Sequence, residues 1–152
     1  MQSISDILSP ARTVYRAPGV SKKRLFATVA KIISDDQPSL DYDDIFNHLI
    51  AREKLGSTGL GGGIAIPHCR AGDCPQPLGT LVTLADPIDF DAPDDRPVDL
   101  LFVLLVPEEA HQEHLDILAQ IARLFSQQDF CQKLRDAGDD QALFRLATSP
   151  PA

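Results

Sequence analysis

V-D-L-L-F-V-L-L-V, residues 98–106, decides the architecture. Apolar residues occupy both phases of the alternation, as in a central strand covered on both faces, and Pro107 ends it. Such a strand needs helices on each side. Upstream, Ser21 can cap a helix whose Leu25, Val29, Ile32 and Ile33 recur at helical spacing before Pro38. Asp41 starts a second helix with Ile45, Leu49 and Ile50 facing inward, which stops after Lys54. Ile64-Ala65-Ile66 reads as a short strand ending at Pro67, and residues 78–85 as another, weakened at its start by Gly79. Downstream, residues 110–126 form a helix burying Leu115, Leu118, Ile121, Ala122 and Phe125. Asp129 begins a shorter helix ending near Gly138, and Asp139 caps a last one with Leu143 and Leu146. The expected fold is an α/β sandwich, with a small mixed β-sheet flanked by helices on both sides.

The chain has 152 residues, 43% hydrophobic and 24% charged, enough for a core in a single domain, with residues 3–148 as its ordered part. Fourteen basic and 22 acidic residues sum to −8. That surface repels phosphate backbones and anionic lipid, so neither nucleic-acid binding nor membrane insertion is expected. The N-terminus lacks a basic-then-apolar signal segment, and three cysteines make a sparse, odd set best read as reduced thiols. A cytoplasmic protein is the expectation.

R-E-K-L-G-S-T-G-L-G-G-G-I-A-I-P-H, residues 52–68, carries the chemistry. No Gly-Lys-Ser/Thr follows the glycines, and Ile64 stands where a dinucleotide fingerprint needs its third glycine, so a nucleotide cradle loses its support. What remains is His68, delivered by a short strand and a rigid proline. A neutral imidazole with one nitrogen held by a backbone acceptor presents the other as a nucleophile. Gly59, Gly61, Gly62 and Gly63 would let a phosphoryl donor approach closely, and the hydroxyls of Ser57 and Thr58 can donate to phosphoryl oxygens. Arg52, ending the second helix, can offset phosphoryl charge or simply face the helix C-terminus. Spacing alone also allows a glycine-rich turn followed by an ordinary histidine.

Residues 52–68, together with P-I-D-F-D-A-P-D-D-R-P-V-D-L-L-F-V-L-L-V-P at 87–107 and E-H-L at 113–115, resemble the IIA components of the bacterial phosphotransferase system, mannitol/fructose type. The closer likeness is to the nitrogen-regulatory branch. The resemblance implies that His68 accepts phosphate on Nε2 from the HPr-like carrier NPr. It implies that His114 is a second active-site histidine that steadies the phosphoryl group or the partner, and that Arg52 supports the reaction. It implies regulatory targets such as potassium transport proteins and sensor kinases. The sequence departs from the family's pattern in Cys69, where glycine usually follows the active histidine, and in Gly62, where many relatives of this branch carry asparagine. Two other functions compete: a sugar-specific IIA passing phosphate to a IIB component, and a non-catalytic binding module in which His68 is structural. No cofactor or metal is expected, because Cys69, Cys74, His111 and His114 lack ligand spacing. His48 reads as a helix residue outside the site, and the acids at 89, 91, 94, 95 and 99 as turn formers.

Overall fold

The computed structural model describes residues 3–72, 74–108 and 112–149, without the side chains of 112–114. Strand β6 (Val98–Pro107) is its axis. On one side β5 (Leu78–Ile88) runs antiparallel to it, with Leu81 opposite Phe102, and β1 (Thr13–Ala17) lies parallel beyond β5. On the other side β3 (Ile64–Ala65) and β4 (His68–Ala71) follow one another along β6, both parallel to it. They form one strand interrupted at Ile66-Pro67; Pro67 has no amide to offer, but its carbonyl accepts from the Leu104 amide at 2.9 Å. β2 (Gly59–Gly61) completes the six-stranded mixed sheet as the antiparallel partner of β3.

Both faces are covered, and the alternation along β6 sorts them. Leu101, Val103 and Leu105 join Leu25, Phe26 and Val29 of α2 (Lys22–Asp36) and Ile45 and Leu49 of α3 (Tyr42–Lys54). Leu100, Phe102, Leu104 and Val106 join the opposite layer: α1 (Ile4–Ile7), α4 (Gln112–Phe125), α5 (Gln128–Arg135) and α6 (Asp140–Thr148). Each large side chain removed from water in this way contributes about 1.5–3 kcal/mol. The expected α/β sandwich is therefore the observed one.

The differences are local. Leu115, expected inside, is 54% exposed, while Ile117 at 4% is buried in its place. The short fifth helix begins at Gln128 and ends at Arg135, without a side-chain cap from Asp129. Gly79 opens space rather than weakening the sheet: a Cβ there would sit 2.4 Å from Phe102 Cζ.

Candidate active site

β4 begins immediately after Pro67 and among the described residues pairs only with β6, so His68 sits on a sheet edge, half-buried. Its Nδ1 lies 2.8 Å from the Ile66 carbonyl. A carbonyl can only accept, so Nδ1 carries a proton, and in the neutral ring the lone pair is on Nε2. The Pro67 ring stiffens the two-residue link between that carbonyl and the imidazole it orients.

His68 shares a pocket of about 440 Å³ with Arg52, Arg70, Leu55 and His48. Arg52 reaches it from the last turn of α3, its Nη1 donating to the Gly56 carbonyl at 3.1 Å. Arg70 lies two residues beyond His68 on β4, hence on the same strand face, and its Nη1 donates to the Glu108 carbonyl at 3.2 Å. Arg70 was not picked out from the sequence, although the i, i+2 spacing from a histidine on a strand is the signal that finds it. His48, read as lying outside the site, lines the pocket as well, its Nδ1 2.6 Å from the Asp44 carbonyl. Between His68 and Arg70, Cys69 packs against the core layer of α2 and α3. Burial pushes its thiol up to about 12, with the charge of Cys74 adding to the effect.

The residues expected to cradle a phosphoryl group are used differently. The Ser57 hydroxyl donates to the Phe90 carbonyl at 2.7 Å and accepts the Gly59 amide at 3.1 Å. Thr58 is buried, with its hydroxyl donating to Glu53 Oε2 at 2.8 Å and its amide to Oε1 at 3.0 Å. Neither residue lines the pocket with His68. Gly62 and Gly63, at φ +67° and +83°, form the two-residue hairpin turn between β2 and β3, which asks for two positive φ values. The Gly63 carbonyl accepts from Asp99 and Leu100 amides. Gly59 packs where a Cβ would meet that of Ala92 at 2.8 Å, and Gly61 stands at φ +93° leading into the turn. The glycines build a hairpin and a close packing contact, not a wall of the pocket.

The expectation for His114 lies outside the described residues, since α4 carries its backbone but not its side chain, and His111 lies outside them altogether. Among the described residues no group of three or more His, Cys, Asp or Glu side chains could hold a metal ion. Of the acids in the 87–99 segment, Asp94 accepts from the amides of Gly62 and Arg96, which lower its pKa, and Asp99 pairs with Arg135 at 2.9 Å. Among the described residues no helix is long and apolar enough to cross a membrane.

The site thus brings an edge-strand imidazole into one pocket with two arginines. The phosphoenolpyruvate-dependent sugar phosphotransferase system EIIA 2 family matches residues 7–149. The chain belongs to that family, and its relatives put it in the nitrogen-regulatory branch. It is 48% identical over 146 residues to a nitrogen regulatory protein of Pseudomonas aeruginosa, covering 96% of this chain and 95% of that one. It is 39% identical over 146 residues to a nitrogen regulatory protein of Escherichia coli, covering 95% and 89%. The crystal structure of nitrogen regulatory protein IIA-Ntr from Neisseria meningitidis superposes with a TM-score of 0.89 at 41% identity, covering 95% of this chain and 99% of that one. IIA mannitol from Escherichia coli shares the fold alone, with a TM-score of 0.75 at 14% identity over 91% and 97% of the two chains.

Proposed function

We propose that this chain accepts a phosphoryl group on Nε2 of His68 from the phosphohistidine of an NPr-type carrier, and that its phosphorylation state selects the partners it binds. The hydrogen bond between His68 Nδ1 and the Ile66 carbonyl carries the reading, because in a neutral imidazole it leaves the lone pair on the other nitrogen. As the Nε2–P bond forms, the donor's N–P bond breaks and the donor imidazole leaves with its electron pair. The Nδ1 proton stays on Nδ1, donated to the Ile66 carbonyl. Arg52 and Arg70 offset charge on the three equatorial oxygens during the in-line transfer, which is chiefly a matter of positioning and electrostatics. His114, in the first turn of α4, steadies the phosphoryl group or the docked carrier.

Phosphorylation adds about −1.5 to −2 charges to the pocket, enough to reverse complementarity toward an acidic partner with no change of fold. The names of the nitrogen-regulatory relatives support a regulatory output; a cytoplasmic setting, and potassium transport proteins or sensor kinases as the class of target, come from the family resemblance. Incubation with phosphoenolpyruvate, the first enzyme of the relay and NPr tests it. Acid-labile phosphate on the wild type and none on His68→Ala is the expected outcome; equal labelling of both rejects it. Onward transfer from the labelled chain to a mannitol-type IIB would favour a sugar-transport role instead.

A further inference from the structure

A second cation-lined cavity lies at the opposite end of the interrupted strand. His68 pairs at the level of Leu104, whereas this cavity borders Asp99 at the start of β6. Five strand residues separate those levels, or about 16 Å. The cavity is about 540 Å³, and its charged walls are Arg16, Arg96 and Arg135 against Asp99 and Asp136. A positive balance is unusual in a chain of formal charge −8.

Each arginine is placed by its own backbone device. Arg16 interrupts β1 at φ +57°, where the register with β5 slips between Val14 and Ala17, and its amide donates to Thr83 Oγ1 at 2.6 Å. A bulge of this kind re-aims a side chain, and left-handed backbone at a non-glycine residue costs free energy that the rest of the fold must offset. Arg96 follows Asp95, another left-handed residue at φ +58°. The loop carrying it is tied to the hairpin turn because Asp94 accepts from both the Gly62 and Arg96 amides, at 2.9 and 3.1 Å. Arg135, ending α5, donates to the Gly62 carbonyl at 2.8 Å and to Asp99 at 3.0 Å.

Those contacts divide the charges. Asp99 compensates Arg135, and Asp136 accepts from Gln132 Nε2 at 3.1 Å. Asp94, outside the cavity wall, is a counter-charge to Arg96. The guanidinium groups of Arg16 and Arg96 themselves make no hydrogen bond or ion pair among the described residues. Arg16 and Arg96 are both exposed and line the cavity, so two guanidinium groups that no folded contact uses are available there to oxyanions. Two planar forks on separate walls suit a ligand with at least two anionic groups, and phosphate matches a guanidinium bidentately.

We propose that this cavity binds a small multivalent anion bearing phosphate groups, gripped by Arg16 and Arg96 above the Arg135–Asp99 pair. The proposal does not depend on phosphoryl transfer at His68. Calorimetric titration of the full chain with inorganic pyrophosphate tests it, with citrate as a comparator. The expected result is saturable one-site binding that weakens about tenfold or more in Arg16→Gln/Arg96→Gln. It should persist in Arg52→Gln/Arg70→Gln, which strips the cations from the His68 pocket instead. Arg96→Gln alone, in an exposed loop, gives a well-folded variant that must also bind more weakly. No saturable heat, undiminished binding by the Arg16/Arg96 variants, loss confined to the Arg52/Arg70 variant, or tighter binding of citrate than of pyrophosphate would overturn it.

Discussion

Glu53 and Thr58 clasp each other across the end of α3: the Thr58 hydroxyl donates to Glu53 Oε2 at 2.8 Å and the Thr58 amide to Oε1 at 3.0 Å. Lys22 completes the knot from α2, with Nζ 2.9 Å from Oε1. The carboxylate is buried, so its partners stabilise the structure more than a surface pair would. Thr58→Val should therefore lower stability by about 1–3 kcal/mol while leaving phosphoryl acceptance intact. A urea denaturation curve and a relay assay separate the two effects. A stable variant that is slow to accept phosphate would return Thr58 to the pocket.

The two guanidinium groups make the opposite prediction. Among the described residues, Arg52 and Arg70 are bonded only to exposed backbone carbonyls, of Gly56 and Glu108. Arg52→Gln and Arg70→Gln should each slow phosphorylation by about tenfold or more, the equivalent of a lost charge-assisted contact, with melting temperature within a degree or two of wild type. Initial rates with phosphorylated carrier provide the measurement. Unaltered rates in both variants would remove the arginines from the reaction.

Gly79 and Phe102 test the packing. The ring occupies the volume that a Cβ on residue 79 would need, and Phe102 is fully buried. Gly79→Ala should destabilise by about 1–3 kcal/mol, and Gly79→Ala/Phe102→Leu should recover part of that loss. Chemical denaturation of the two single variants and the double variant gives the coupling. Strict additivity would mean that the two positions do not compete for space.

The thiols set an alkaline limit. Burial raises Cys131 to about 11 and Cys69 to about 12 from an ordinary 9.0. Above that ordinary value the unfolded chain releases these protons and the native chain keeps them, so stability falls as pH rises. The loss approaches about 1.4 kcal/mol per group per pH unit until the native thiols ionise. Cys69→Ala/Cys131→Ala should flatten the decline between about pH 9 and pH 10.5, measured by urea midpoints. A wild-type-to-variant difference that does not change with pH would contradict it.

Helices α2 to α6 and the two long strands were legible because their signals are local, whereas the single-turn α1 was not read. Ser21, Asp41 and Asp139 each accept a backbone amide three residues on, as helix caps do, and β6 shows its double-faced burial in its apolar composition. β1, β2 and β4 were not legible. Thr13–Ala17 is broken by the left-handed Arg16, Gly59–Gly61 is two-thirds glycine, and the four residues from His68 alternate weakly; each becomes a strand only by pairing with a neighbour. Leu115 was read as inward-facing, but the face of α4 that joins the core layer with Leu104 and Val106 carries Ile117 instead. At the site, His68 and Arg52 stood out by type and position. The work of Ser57 and Thr58 was hidden because Phe90 lies 33 residues from Ser57, and the sequence does not announce that Glu53 is buried.

Phosphoryl acceptance rests on one nitrogen of His68. Long-range proton–nitrogen correlation spectra of the His68 ring, recorded before and after incubation with phosphorylated carrier, test it most directly. The account predicts an Nδ1-protonated neutral ring beforehand and phosphorus coupling at Nε2 afterwards. An Nε2-protonated ring at the start, phosphate on Nδ1, or an imidazole unchanged by the carrier would contradict it.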